Sequence, residues 1–453
     1  MSSEYQNLED SNINWLGVIP QHWTVSQLKH LARLSTGMTP PTSDSENYSD
    51  ETEYGWVRPE DIDESGAPTS ASKYLSAKGW SLARRIPAES SLICCIGTIG
   101  KVGFTKDTLT TNQQITAATF IGNARYFYFS ILAAREELEV SATGNVMQIL
   151  NSERLGEVKF ALPPLKEQKQ IAAFLDYETA KIDALIEKQQ QLIALLGEKR
   201  QAVISHAVTK GLNPDAPMRD SGVEWLGEVP AHWKIWKFGH FAPIITCGIA
   251  STPTYVDESE GMPFLSAQNI RGNKLSLHKY NFIPHALHEQ LTRYRRPEIG
   301  DILVTRVGAG IGDACVIDID MEFSIYVSLT HIRVKPKIAV NRFIKYFFSS
   351  DYCNFLNYQG TVTGGGVGNL NVQNVEKYKI PLPSIEEQSD IADYIDGQGE
   401  RFDELIRRAE IASELLQERR TALISAAVTG KIDVRNWKPP IDEKPHKPNK
   451  EAA

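Results

Sequence analysis

The sequence lacks the features of a membrane, secreted or metal-binding protein. No apolar run reaches the roughly 18 residues of a transmembrane helix. The N-terminal stretch MSSEYQNLED is polar and acidic, unlike a secretory signal. Five cysteines in a chain of 453 residues are an odd number, and none forms a metal-type Cys-x-x-Cys pair. We therefore expect a cytoplasmic protein with reduced thiols, no membrane segment and more than one domain.

A recognisable catalytic constellation is also missing. The chain contains neither the Asn/Asp-Pro-Pro-Tyr/Phe element of an amino-methyltransferase nor a His-Glu-x-x-His zinc motif, and the Asp and Glu-x-Lys pattern of a restriction nuclease is not evident. Gly308–Gly312 follows a predicted strand, but a dinucleotide-binding loop must open a helix. This loop and its counterpart Gly97–Lys101 each lead into another strand, so we expect tight β-turns and no cofactor or metal. A methyltransferase that binds S-adenosylmethionine at Gly308–Gly312 is the alternative enzyme interpretation.

The charge of the chain is acidic overall but unevenly distributed. A net charge of −8 speaks against a nucleic-acid binder. However, residues 71–110 hold six bases against two acids, and residues 271–306 hold seven bases against three acids. Both stretches are locally +4, which fits either solvated faces or two surfaces for DNA phosphates, and for any single charge the solvated face is the simpler interpretation.

Two stretches of 45 residues, Leu165–Thr209 and Ile385–Thr429, have apolar residues at three- and four-residue steps. This spacing predicts two long helices, each about 68 Å at about 1.5 Å per residue. The apolar stripe of each is narrow and requires a partner helix, which the other stretch supplies. Ser384 followed by Glu387 fits a capping box, whereas Pro164 takes the cap position of the first helix.

The chain is an internal duplication with a slowly drifting offset. The first copies of its repeated motifs are Trp15-Leu16-Gly17, His22-Trp23, Glu167-Gln168 and Ala207-Val208-Thr209. They recur in the same order as Trp225-Leu226-Gly227, His232-Trp233, Glu387-Gln388 and Ala427-Val428-Thr429. Such long-period self-similarity indicates two homologous units with pseudo-two-fold symmetry.

Each unit is predicted to be a β-rich α+β domain followed by a long helix. The predicted strands are Ser91–Ile96, Val102–Thr105 and Ile115–Ile121 in the first domain, and Asp301–Thr305, Ala314–Ile317 and His331–Val334 in the second. One helix is predicted in the last third of each domain, at Arg125–Leu138 and at Asn341–Leu356.

Candidate DNA-binding residues are cations that neutralise phosphates, amides that read adenine edges, and small polar residues beside glycines. An ordinary flexible loop is an equally good interpretation of the glycine-flanked segments Ala142–Asn145 and Thr361–Asn369. For any single amide, a structural role is the simpler interpretation. The candidates are Arg58, Lys73, Arg84, Arg85, Lys101, Asn112, Gln113, Thr143, Asn145, Gln268, Asn269, Arg271, Arg293, Arg295, Arg296, Arg306, Thr363 and Asn369.

The duplicated motifs resemble the specificity subunit of type I restriction–modification systems. The resemblance is carried by the paired Leu-Pro-Pro/Ser-Leu/Ile-x-Glu-Gln openings, the Ala-Val-Thr helix ends and the Trp-Leu-Gly-x-x-Pro-x-His-Trp heads. It implies two target recognition domains, each reading half of a bipartite asymmetric DNA site, and two conserved helices that pair antiparallel and hold the domains apart. It also implies a subunit without catalysis, whose partners are two methyltransferase subunits that methylate adenine and two restriction subunits that translocate and cleave DNA.

The expected domains follow from this resemblance and from the repeat. They are a first recognition domain (1–161), a first helical region (162–211), a second recognition domain (212–380), a second helical region (381–430) and a flexible tail (431–453). A coiled-coil adaptor that joins proteins and ignores DNA is the remaining alternative.

Overall fold

A computed structural model describes residues 5–64, 66–144, 148–308, 310–364 and 367–439. The described chain divides into two compact units. One consists of the residues up to Gln190 together with those from Glu410 onwards, and the other is Gln191–Ala409. Each unit therefore combines one globular domain with parts of both long helices.

Over their described residues, the first globular domain and the long helix that follows it contain twelve strands and six α-helices. The strands are β1 (Leu8–Asp10), β2 (Val18–Pro20), β3 (Thr24–Gln27), β4 (Ala32–Thr36), β5 (Tyr48–Ser49), β6 (Tyr54–Val57), β7 (Lys73–Leu75), β8 (Ser90–Cys94), β9 (Val102–Thr105), β10 (Thr110–Thr111), β11 (Ile115–Phe120) and β12 (Lys159–Leu162). The helices are α1 (Leu28–Leu31), α2 (Ala77–Leu82), α3 (Ala124–Ala133), α4 (Arg135–Ser141), α5 (Ser152–Glu157) and the long α6 (Leu165–Lys210).

The part of the second globular domain that the structure describes, together with its long helix, adds fifteen strands and five α-helices. The strands are β13 (Met218–Asp220), β14 (Glu228–Pro230), β15 (Lys234–Lys237), β16 (Ile244–Cys247), β17 (Gly261–Leu265), β18 (Ile270–Arg271), β19 (Lys274–Leu275), β20 (Asn281–Pro284), β21 (Ile302–Thr305), β22 (Ala314–Val316), β23 (Ser324–Ile325), β24 (Leu329–Arg333), β25 (Thr361–Gly364), β26 (Val367–Leu370) and β27 (Lys379–Leu382). The helices are α7 (His285–Thr292), α8 (Asn341–Phe348), α9 (Asp351–Gly360), α10 (Val372–Val375) and the long α11 (Ile385–Val428).

The sheet topology confirms the duplication. A four-stranded antiparallel sheet has the order β4-β11-β8-β9 in the first domain and β16-β24-β21-β22 in the second. A second, mixed sheet contains a parallel pair in each domain, β10 with β6 and β23 with β17. The strand before each long helix pairs with the strand after the His-Trp motif, β12 with β3 and β27 with β15. The α+β class expected from the sequence is therefore correct.

Each unit has its own core, and both long helices contribute to both cores. In the first unit, the buried aromatic face of α3 packs with Ile171 and Leu175 of α6 and with Ile424 and Val428 of α11. In the second unit, Phe343, Phe347 and Phe348 pack with residues of α6 and α11, namely Ile204, Val208, Ile391 and Ile395. In both units the residue numbers rise along α6 as they fall along α11, so the helices are antiparallel.

The long helices begin and end close to the predicted positions, but the capping box is incomplete. The backbone N–H of Glu387 donates to Ser384 Oγ at 3.2 Å, as predicted. Both carboxylate oxygens of Glu387, however, are held by His232 and Trp233. Gly211 and Gly430 follow the helix ends with φ of 78° and 72°, the left-handed conformation of a C′ residue.

Three local predictions need correction. The helix predicted over Arg125–Leu138 is interrupted at Ala134, and the one predicted over Asn341–Leu356 is interrupted at Ser349 and Ser350. Ser350 Oγ accepts a hydrogen bond from the N–H of Cys353, which starts α9 as a separate helix. In the glycine-flanked segment from Thr361 to Asn369, expected as a loop, the described residues pair as the antiparallel strands β25 and β26, and Gly365 and Gly366 lie outside the described residues.

Candidate nucleic-acid interface

The His-Trp motif and the Glu-Gln motif meet at one contact in each unit. Glu167 accepts hydrogen bonds from His22 Nε2 at 2.7 Å and from Trp23 Nε1 at 3.0 Å. Glu387 is bonded to His232 and Trp233 at 2.9 and 3.0 Å. A single carboxylate therefore fastens the head of each globular domain to the start of the long helix that follows it.

The glutamine that follows each of these glutamates is buried and joins the helix start to the last third of the domain. Gln168 donates to the carbonyl of Pro163 at 2.9 Å and accepts from the N–H of Asn123 at 3.1 Å. Gln388 donates to Pro383 at 3.0 Å and accepts from Val340 at 2.8 Å. The repeated Glu-Gln motif thus holds the start of each long helix against its globular domain.

Two further ion pairs recur in both units and were not predicted from the sequence. Arg125 bonds Asp176 at 2.9 Å, and Arg342 bonds Asp396 at 2.5 Å. Between the helices, Arg420 bonds Asp183 at 2.8 Å and Arg200 bonds Asp403 at 2.6 Å. The signal was present in the sequence, because Asp176 and Asp183 recur as Asp396 and Asp403, and Arg200 as Arg420, at one offset.

Five of the predicted DNA-binding residues of the first domain are exposed: Lys73, Arg84, Arg85, Gln113 and Thr143. Arg84 donates to the carbonyl of Thr36 at 2.8 Å, and Gln113 accepts from the hydroxyl of Thr39 at 2.5 Å. Lys73 pairs with Trp56 across β7 and β6, and Trp56 pairs with Thr110, whose hydroxyl donates to the carbonyl of Arg84. These contacts bring Lys73, Arg84 and Gln113 into one region of the domain.

Two more cations of the first domain are partly buried and already bonded. Arg58 lies 5.8 Å from the centroid of the Trp56 ring and forms an ion pair with Glu60 at 2.8 Å. Lys101 donates to the carbonyl of Pro59 at 3.0 Å. Asn112 is buried, with its side-chain amide on Gln114 at 2.8 Å. The polar groups of these three side chains are bonded within the domain and do not extend freely into solvent.

The described part of the second domain exposes six of its predicted residues: Gln268, Arg271, Arg293, Arg295, Arg296 and Asn369. Arg295 donates to the hydroxyl of Thr246 on the edge strand β16, which corresponds to the contact of Arg84 with β4. Arg296 is paired with Glu322 at 2.5 Å. Among the described residues no acidic group pairs with Arg295, so its charge remains available for a ligand.

Two predicted residues of the second domain are buried structural groups. Asn269 is 1% exposed and bonds the carbonyls of Ser276 and Lys279, each at 2.9 Å. Arg306 is 8% exposed and bonds the carbonyl of Leu370 at 3.0 Å and Oδ1 of Asn369 at 2.7 Å. These bonds tie the β17–β18 turn and the hairpin β25–β26 to the domain.

The remaining candidates lie near the two glycine-flanked segments. Thr143 is exposed and forms an isolated bridge with Ile149, while Asn145 lies outside the described residues. Thr363 is part of β25, and Asn369 of β26 is exposed and bonded to Arg306. The structure therefore gathers Arg306 and Asn369 at one hairpin.

A buried charged network in the second domain escaped prediction. Asp301 is bonded to His331 Nε2 at 2.7 Å and, through both oxygens, to Arg333 at 2.8 Å. Burial opposes ionisation of Asp301, but the hydrogen bonds from Arg333 and His331 prevail and lower the pKa of its carboxyl group. The strand register places Ser90, Ala117 and Thr119 at the equivalent positions of the first domain, where Ser90 and Thr119 share a hydrogen bond of 2.8 Å.

Chemistry of other kinds has little support in the described part of the chain. The glycine-rich segments are hairpin turns: Thr305 N–H donates to the carbonyl of Asp313 at 2.8 Å, and Cys94 N–H to that of Lys101 at 2.9 Å. Neither turn opens a helix. No His, Cys, Asp or Glu group among the described residues could hold a metal ion, and no helix there is long and apolar enough to cross a membrane.

The family model of the type I restriction modification DNA specificity domain matches the chain twice, over residues 20–194 and 230–413. The chain belongs to this family. The two matches follow the duplication and include most of both long helices, so the family unit is a recognition domain together with its helix. The specificity-subunit architecture expected from the resemblance is therefore confirmed.

The chain is similar to other specificity subunits over most of its length. The EcoBI specificity subunit of a type I restriction enzyme from Escherichia coli is 23% identical over 449 residues, which cover 96% of this chain and 92% of that protein. A MjaX specificity subunit from Methanocaldococcus jannaschii is 27% identical, but the match spans 63% of this chain and 62% of that protein. A chain from a structural study of assembly and conformational transition in the type I system has a TM-score of 0.64 at 16% identity, covering 90% of this chain and 98% of that one.

Proposed function

We propose that the chain is the DNA-sequence-specificity subunit of a type I restriction–modification complex and that each domain reads one half of a bipartite, asymmetric site. The observation that carries the proposal is the equivalence of Arg84 and Arg295. Each extends from a matching position and is bonded to a matching edge strand, β4 or β16. Two copies of one reader with a shared cationic anchor suit two half-sites on one duplex.

Different residues around the shared anchor would give the two domains different specificities. After β6 the first domain has Arg58-Pro59-Glu60-Asp61, and after β17 the second has Ser266-Ala267-Gln268-Asn269. Both segments form the same short turn, closed by a bond from the first backbone N–H to the fourth side chain, at 2.9 and 3.0 Å. A common backbone with a changed surface reads different base edges, which makes the site asymmetric.

The proposed interface consists of the exposed members of the predicted set, while the buried members position it. Asn112, Asn269 and Arg306 have their polar atoms committed to neighbouring groups and would not reach a base edge. The exposed candidates are Lys73, Arg84, Arg85, Gln113, Thr143, Gln268, Arg271, Arg293, Arg295, Arg296 and Asn369.

The paired long helices would set the spacing of the half-sites. They are 46 and 44 residues long and continuous over the described residues. An antiparallel pair is stiffer than a loop of equal length and leaves the bases between the half-sites unread. This role is supported by the repeated ion pairs Arg420–Asp183 and Arg200–Asp403, which fix the register of the pair within each unit.

The same helices would carry the methyltransferase subunits on their exposed apolar side chains. Leu185 and Leu415 are 45% and 59% exposed in the first unit, and Leu405 and Leu195 are 46% and 60% exposed in the second. These pairs occupy equivalent repeat positions, so two like surfaces would dock two methyltransferase subunits. Those subunits would take the target adenine out of the stack and methylate it, and two restriction subunits would join for cleavage. This complex would act in the cytoplasm.

Exchange of one domain tests the proposal. Residues 1–160 are replaced by the recognition domain of another specificity subunit, and the complex is reconstituted with its methyltransferase subunits. We expect one half of the methylated site to change while the other half and the spacing persist. A change in both halves would show that the domains are not independent readers, and unaltered methylation would favour a protein adaptor without DNA specificity.

A further inference from the structure

A cavity of about 360 Å³ lies in the second domain beside the buried Asp301–His331–Arg333 network. Its lining includes Thr246 on β16, His331 on β24 and Arg295 from the segment after α7. Thr246 and His331 are paired across the two strands, so their side chains extend from the same face of the sheet. Arg295 donates to the Thr246 hydroxyl. The three side chains therefore lie together in the wall of the cavity.

His331 is the unsatisfied member of this group. It is 0% exposed, and its Nδ1 has no hydrogen-bond partner among the residues that the structure describes. Its Nε2 lies 2.7 Å from the carboxylate of Asp301, which assigns the ring proton to that nitrogen. A buried ring nitrogen without a partner costs free energy unless a ligand or a proton occupies it.

We propose that this cavity is a phosphate-binding site of the second domain, and that occupancy is coupled to protonation of His331 Nδ1. Arg295 and the Thr246 hydroxyl would donate to the phosphate oxygens, and the protonated imidazole would add a third donor with a positive charge. Assignment of the phosphate to the DNA backbone rests on the proposed function, whereas the site itself does not.

The charges around His331 permit such coupling. Asp301, which directly precedes the neighbouring strand β21, favours a protonated ring, whereas Arg295 and Arg333 oppose it. Asp301 is shared with Arg333, which also pairs with Glu298 at 3.0 Å. The other titratable groups on or beside the packed elements are the half-buried Cys247 thiol on β16, His285, His288 and Glu289 on α7, and Glu322, which contacts His288. An anion in the cavity compensates the positive charge of the protonated His331 ring and therefore favours its protonation.

The first domain provides a natural control, because it keeps the arginine and lacks the histidine. Arg84 is bonded to β4 as Arg295 is to β16, but Ala117 occupies the position of His331. Ser90 and Thr119 replace Asp301 and Arg333 with a neutral pair. Phosphate binding coupled to a proton should therefore belong to the second domain and not to both.

Calorimetric titration of the full-length chain with inorganic phosphate tests the site. We expect one phosphate per chain, bound more tightly below the ordinary histidine range near about pH 6.5 than above it. Arg295→Gln should weaken binding about tenfold, the value of a charge-assisted hydrogen bond. Thr246→Val should weaken it less, and His331→Gln should remove its pH dependence. Lys29→Gln, on the exposed face of α1 and outside the proposed interface, is the control and should leave phosphate binding unchanged.

Two results would overturn the inference. One is the absence of phosphate binding at any pH, and the other is binding that Arg295→Gln and Thr246→Val both leave intact, which would mean an adventitious ion only. Because Thr246→Val leaves the charged network in place, it keeps the test valid if a His331 variant does not fold.

A second titration with a pool of random-sequence DNA duplexes identifies the source of the phosphate. If His331→Gln removes the pH dependence of duplex affinity, the site holds a DNA phosphodiester. If phosphate binds but duplex affinity does not respond to this substitution, the site stands and takes a free phosphate. A chain that binds phosphate and no duplex, even with methyltransferase subunits present, would contradict the proposed function and leave the phosphate site intact.

Discussion

Arg420 and Asp183 form a 2.8 Å ion pair between the two long helices, and the guanidinium also donates to the carbonyl of Glu64 at 2.9 Å. The side chain of Arg420 is 5% exposed. Its counterpart Arg200 pairs with Asp403 at 2.6 Å but is 36% exposed and lines a cavity of about 600 Å³. The repeated ion pair is therefore largely shielded from solvent and bonded to the domain in the first unit, whereas it is solvent-exposed in the second.

This difference predicts unequal costs for the same substitution. Arg420→Ala leaves the partly buried Asp183 carboxylate, which is 26% exposed, and the Glu64 carbonyl without their partner, so we expect a loss of about 3 kcal/mol in the free energy of unfolding. Arg200→Ala removes a solvent-screened pair and should cost about 0.5 kcal/mol. Urea unfolding of both variants checks this, and equal losses would show that burial does not distinguish the pairs.

A second prediction concerns phosphate contacts by the two anchor arginines. Arg84→Ala and Arg295→Ala should each weaken duplex binding of the reconstituted complex and reduce the slope of log affinity against log salt by about one. Fluorescence anisotropy over a salt series measures the slope. Lys29→Ala, on the short helix α1 and outside the proposed interface, is the control. A slope unchanged by either arginine would remove that residue from the interface.

Much of the architecture could be predicted because it depends on periodicity and repetition. Leu165–Thr209 reveals its helix through regular apolar spacing, and α6 runs from Leu165 to Lys210. The turn at Gly97–Lys101 follows from glycines between short apolar runs, and Gly97 and Gly100 have φ of 84° and 77°. The strand that follows this turn, β9, begins and ends at the predicted residues, Val102 and Thr105.

The features that were missed depend on tertiary contacts. Nothing local marks the interruption at Ala134, since no proline or glycine lies there. Asn269 has the composition of a base reader, yet its burial against Ser276 and Lys279 is set by the fold. His331 and Asp301 are far apart in sequence and meet only because β24 pairs with β21. The exposed candidates remain predictions that binding experiments must test.

The buried carboxylate predicts an acid-sensitive second unit. The folded pKa of Asp301 lies below its ordinary value of 3.8, so its contribution to stability is present above that value and is lost as pH falls through the folded pKa. Asp301→Ser, His331→Ala and Arg333→Thr together install the neutral residues of the first domain. Urea unfolding at a series of acidic pH values should show a smaller loss of stability for this triple variant than for the natural chain. An equal loss would exclude Asp301 as the sensitive group.

The spacer role of the helices predicts a change in site geometry. Insertion of four residues into both long helices at equivalent repeat positions adds about 6 Å at about 1.5 Å per residue. This is close to two base pairs at about 3.4 Å each. We expect methylated sites with a longer spacer and the same half-sites. Altered half-sites with an unchanged spacer would show that the helices do not determine the spacing.

Genome-wide mapping of methyladenine, in cells with and without this chain, tests the central claim most directly. Two independent readers on one chain should produce a single bipartite motif, asymmetric in its halves and separated by unread bases, that disappears when the chain is deleted and its methyltransferase partners are retained. A continuous motif, or methylation that persists without the chain, would contradict the claim that this chain determines the sequence specificity.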